Sequence, residues 1–102
     1  MDLDKIKDLF IELEIYLKKY GNNSILPSYK IVKNTVEILL SHENDDMKKQ
    51  IVINNYKKLF PGKGALSEFC VWDNDLEARK NLNLPFEKIH NELWDSLKNI
   101  IC

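Results

Sequence analysis

The sequence predicts an all-α fold: one domain over residues 1–102, a bundle of four to five helices with a long structured loop between the third and fourth. Three observations predict it. Apolar residues recur in steps of three and four toward both ends of the chain, the spacing that gathers them on one face of a helix. Two of the three glycines and one of the three prolines fall within residues 61–64, inside the one long stretch that lacks helical patterning. A chain of 102 residues that is 44% hydrophobic can close one core, burying roughly two-thirds of its unfolded surface.

The first helix is marked by Leu3, Ile6, Phe10, Leu13, Leu17 and Tyr20, with Leu9 and Tyr16 widening the stripe. Asp2 and Asp4 stand at the positive end of its dipole, and Gly21 supplies the permissive residue that ends it. Pro27 and Ser28 suit the opening of a second helix that carries Tyr29, Val32, Val36, Leu39 and Leu40 on one side and stops near Ser41. In the polar turn HENDD, residues 42–46, Asn44 or Asp45 is placed to cap a third helix running to about Leu59. Its apolar members are Ile51, Val52, Ile53, Tyr56 and Leu59, and Lys48, Lys49, Lys57 and Lys58 line its outer face. The β-branched run at 51–53 also suits a short strand, but its flanks favour helix.

Residues 60–72 are irregular, because Pro61, Gly62 and Gly64 oppose regular helix. Asn74 and Glu77 match the capping-box spacing, which predicts a short helix over about 75–82 and then a turn at 83–85. The last helix follows, with Phe86, Ile89, Leu93, Leu97 and Ile100 as its stripe and Trp94 and Ile101 beside it. Trp94 and Leu97 are expected in the core.

Charge and composition exclude several function classes. Fifteen basic and sixteen acidic side chains leave a net charge of -1, so no global field holds a polyanion and direct nucleic-acid binding is disfavoured. No apolar run approaches membrane-spanning length, and MDLDKIKDLF places acids where a signal peptide carries a basic region, which predicts a cytoplasmic protein. Lysine outnumbers arginine fourteen to one beside abundant asparagine and isoleucine, a bias that matches an AT-rich bacterial genome.

Chemistry-bearing constellations are sparse. PGKG at 61–64 shares glycine and lysine with phosphate-cradling loops but lacks the full spacing and a preceding strand, so a turn after a helix is the better reading. Cys70 lies between Phe69 and Val71, a setting for a buried inert thiol, and no CxxC or metal spacing links it to Cys102 or to either histidine. Two free thiols are expected, with a Cys70–Cys102 bridge as the open alternative. His90 belongs at the core boundary and His42 in solvent. The acids at 45–46 and 73–75 read as caps and solvated turns. No catalytic residue, metal or cofactor is assigned.

One segment offers more. From 67 to 77 there are four acids, Glu68, Asp73, Asp75 and Glu77, and no base, interleaved with Phe69 and Trp72. Aromatic anchors beside unopposed acids suit the gripping of a basic protein, the rings supplying burial and the acids steering. Equally, Phe69, Val71 and Trp72 plug the bundle while the acids face water.

The order of these parts resembles a group of small bacterial helical proteins in which a helical half leads into Phe, Gly, x, Gly, small, apolar, Ser or Asn, then an acid. Here that pattern falls on Phe60, Gly62, Gly64, Ala65, Leu66, Ser67 and Glu68. Such proteins look similar to immunity proteins of polymorphic toxin and contact-dependent growth inhibition systems. The resemblance implies a cytosolic inhibitor that binds a cognate toxin domain, often a nuclease, and blocks its active site or substrate surface; the aromatic and acidic segment itself offers Glu68, Phe69, Trp72, Asp73, Asp75 and Glu77 as the binding residues. A small helical adaptor or regulatory protein for a bacterial or phage partner is the alternative.

Overall fold

The computed structural model describes residues 2–101. It contains four α-helices, α1 Leu3–Tyr20, α2 Leu26–Leu40, α3 Asp45–Leu59 and α4 Leu76–Ile101, and two single 3₁₀ turns, Asn23–Ile25 and Ala65–Glu68. Among the described residues there is no strand, so the fold is all-α. α1 packs against both α2 and α4, α2 packs against α3, and α3 meets the turn at Ala65–Glu68. The result measures 45 × 25 × 22 Å. No helix among the described residues is long and apolar enough to cross a membrane.

Each helix begins for a local reason and is held by its buried stripe. The Asp2 carboxylate accepts the Lys5 amide at 3.1 Å, and Ile6, Leu9, Phe10, Leu13, Tyr16 and Leu17 of α1 are buried. Burying one such side chain contributes about 1.5–3 kcal/mol. Gly21 ends α1, though not through a left-handed turn: its φ is -70°. A Cβ there would lie 2.4 Å from the Leu17 carbonyl oxygen and 2.6 Å from Ile25 Cδ1, so a side chain is barred chiefly by the backbone of the last turn of α1.

In α2, Pro27 occupies the first turn and Val32, Val36 and Leu39 are buried, whereas Leu40, expected on the same side, is exposed. The α2–α3 seam also holds a polar pin. The Thr35 hydroxyl donates to the Ile31 carbonyl at 2.8 Å and accepts from Asn55 Nδ2 at 2.8 Å, which satisfies a fully buried group. Asn44 caps α3 by accepting the Met47 amide at 2.8 Å, and the 51–53 run is helical. Lys57 and Lys58 face solvent, while Lys48 and Lys49 are half-buried.

The largest departure from expectation is α4. Residues 75–82 and 86–101 are not two helices joined by a turn; one helix of 26 residues runs through Pro85. Proline removes an amide donor and crowds the carbonyl one turn earlier. The carbonyl that loses its helical donor is that of Asn81; at the next residue the Leu82 carbonyl accepts the Tyr16 hydroxyl at 3.0 Å, which ties this turn of α4 to α1. Burial, with lesser contributions from Tyr20, Cys70 and Glu87, pushes the Tyr16 pKa up to about 12, so the hydroxyl keeps its proton. Asn83, Phe86 and Ile89 are buried on either side of the proline, and this packing outweighs its local preference for a turn.

Leu97 is fully buried as expected, but Trp94 is 39% exposed and Ile100 also reaches solvent. α3 packs mainly on α2, so the side of α4 that carries Trp94 stays open as a cleft of about 760 Å³ shared with Tyr56, Phe60 and His90.

Candidate functional site

The segment after α3 is ordered from the inside. Gly62 and Gly64 take φ of 88° and 78°, a left-handed backbone that L side chains resist, and they turn the chain back toward the bundle. Ala65 follows at φ 48°. The Gly62 amide donates to the Ser67 hydroxyl at 3.2 Å, so this glycine loop is closed on itself. The helical turn after it has only four residues, unlike the long helix that follows a phosphate loop. Leu66 drops into the core, and Phe69 meets Tyr16 and Phe86 edge-on at ring-centroid distances of 6.4 and 5.5 Å.

Asn83 is the clasp. Its Oδ1 accepts the Val71 amide at 2.7 Å while its Nδ2 donates to the Val71 carbonyl at 2.9 Å and to the Arg79 carbonyl at 2.7 Å. The side-chain amide thus pairs with both polar groups of one backbone residue, as a neighbouring strand would. Asn83 is only 8% exposed, so losing it would strand those groups.

One residue after Val71 the chain turns outward. Trp72 is 69% exposed, among the most exposed large hydrophobic side chains described. It is nevertheless held: its Nε1 donates to Asn74 Oδ1 at 3.3 Å, and the Arg79 guanidinium carbon sits 4.2 Å from the ring centroid. A cation over an indole face at an exposed site is worth about 0.5–1 kcal/mol. The acids around it order the entry to α4. Asp73 Oδ1 accepts the Asp75 amide at 2.8 Å, and Asp75 Oδ1 accepts the Glu77 amide at 3.1 Å. The cap is therefore Asp75, not Asn74, whose side chain serves Trp72 instead. Its carbonyl also accepts the Arg79 amide at 2.9 Å.

The six candidate residues divide accordingly. Trp72, Asp73, Asp75 and Glu77 gather at the start of α4, with Leu76 exposed among them. Phe69 points the other way, packed against the core, and Glu68 is exposed on the preceding 3₁₀ turn. Asp73, expected in full exposure, is half-buried. The acids are not unopposed either, since the fold brings Arg79 over the tryptophan.

Cys70 is exposed rather than buried, because Phe69 and Val71 on either side take the inward positions. Cys102 lies outside the described residues, and with it any pairing of the two thiols. His90 stacks on Phe60 at 3.9 Å between ring centroids, and burial holds its pKa below the ordinary imidazole value. Cys70 and His90 line one cleft of about 550 Å³, yet no hydrogen bond joins them among the described residues. No group of three or more His, Cys, Asp or Glu converges among the described residues.

Sequence reasoning missed Asn83, Arg79 and the Tyr16 hydroxyl. Asn83 had a signal: stepping back three residues along the α4 stripe from Phe86 lands on it, but Pro85 suggested a turn there. No protein-family model matches the chain, and no curated protein or solved structure matches it.

Proposed function

We propose that this protein works by binding, and that the face around Trp72 grips a basic protein partner. The observation that carries this reading is an indole left 69% exposed yet fixed in orientation by Arg79 and Asn74. A large ring already held in place loses little further freedom on docking, which favours an anchor. Leu76 extends the apolar area, and Glu68, Asp73, Asp75 and Glu77 supply the charge that steers and selects a cationic surface. Phe69 supports the face from below instead of touching the partner.

The partner is a cognate toxin domain, a nuclease being the type whose cationic cleft suits these acids, and the protein neutralises it stoichiometrically in the cytoplasm. Inhibition by occupancy uses no catalytic residue and no cofactor. The resemblance of the 60–68 stretch to immunity proteins supports this partner over a general adaptor role. Co-expression with a candidate toxin domain, taken from a gene adjacent to its own, is the test. Restored growth and a co-eluting complex on a sizing column are expected; persistent growth inhibition with no complex contradicts the reading.

A further inference from the structure

We infer that a second copy of this chain docks on the groove between α1 and α4, in a two-fold contact centred on Ile15. This face shares no residue with the Trp72 surface, so the inference stands apart from the toxin reading. The groove encloses about 690 Å³ and is lined by Ile15, Tyr20, Leu84 and Pro85, with Glu12, Lys19 and Lys88 at its rim. Ile15 is 63% exposed and Leu84 48%, although Ile6, Leu9, Phe10, Leu13, Tyr16 and Leu17 of α1 are buried. Pro85 makes the groove: its ring occupies the α4 surface at the point where Tyr16 reaches across to Leu82.

The pattern of charge names the occupant. Glu12, Ile15 and Lys19 stand at i, i+3 and i+7 and so share one face of α1. When two such faces meet antiparallel about an axis beside Ile15, residues equally spaced on either side of the axis oppose each other. Glu12 of each copy then faces Lys19 of the other, and the two Ile15 side chains meet between these ion pairs. Such a surface is its own complement, which an isologous contact requires. Lys19 is already drawn over the groove, its Nζ lying 5.1 Å from the Tyr20 ring centroid.

Sedimentation equilibrium of the full chain tests this, as concentration rises from low micromolar to near-millimolar. The wild-type mass is expected to climb toward that of a dimer, as a small interface would allow. Ile15→Asp, at an exposed position, is expected to stay monomeric with an unchanged helical circular dichroism spectrum. Glu12→Lys alone and Lys19→Glu alone are each expected to weaken self-association by about tenfold or more. An equimolar mixture of those two variants is expected to restore the dimer, because a face with two lysines then meets one with two glutamates. A wild-type chain that stays monomeric throughout, a dimer that survives Ile15→Asp, or a mixture that does not reassociate would each overturn the inference.

Discussion

Along α1, Ile6, Phe10, Leu13 and Leu17 are all buried, and the helix is held by a continuous strip of apolar contact. Between Leu59 and Leu76 only Leu66 is buried outright, and the segment is held by separate fastenings: a hydroxyl on a glycine amide, two edge-on rings and the Asn83 clasp. Periodic burial makes the first region stiff and leaves few of its side chains free to do anything else. Discrete fastenings leave the second region one inward and one outward side within a few residues, so Phe69 can complete the core while Trp72 is shown to solvent. The division of labour is between neighbouring side chains and not between domains.

Substitutions that remove one means of support or the other can break this contrast. Leu97→Ala, at a fully buried position, is expected to cost about 2–5 kcal/mol, read as a lower urea midpoint. An unchanged midpoint would place the last turns of α4 outside the core. Asn83→Ala is expected to cost about 1–3 kcal/mol, because the Val71 amide and carbonyl lose their partner. Amide exchange sharpens that prediction: Val71 should speed up strongly while the centre of α1 changes no more than global stability demands. Equal effects on both regions would show that the clasp is not a separate fastening.

A smaller effect is expected from pH. Burial beside Phe60 keeps His90 below its ordinary value, so the unfolded chain takes up this proton first as pH falls. Stability should therefore be level above about pH 6.5, decline as pH drops below that value, and level off again once the folded imidazole is protonated. His90→Gln should flatten the slope that belongs to this group. The same slope in the variant would assign it elsewhere.

The helical half of the molecule was legible because burial there follows backbone periodicity, and Leu3–Tyr20 or the Asn44 cap can be read from spacing alone. The start of α4 was not. Pro85 carries a strong local signal for a turn, and only tertiary contacts from Tyr16 and Asn83 reverse it. Trp94 and Trp72 show the same limit. Both are aromatic and both border apolar stripes, but whether a ring is covered depends on which helix lies opposite, and α3 lies against α2. For the candidate surface, the acids at 73–77 were readable as residues, but not the Arg79 guanidinium that the helix brings over Trp72.

Trp72→Ala, with its unfolding midpoint and its affinity for the basic partner proposed above measured on the same preparation, tests the central division most directly. Stability within about 0.5 kcal/mol of wild type is expected for so exposed a side chain. Binding should weaken by about 2 kcal/mol or more, the loss typical of an anchor residue. A lowered midpoint with unchanged affinity would contradict the account, since Trp72 would then support the fold and the partner would bind elsewhere.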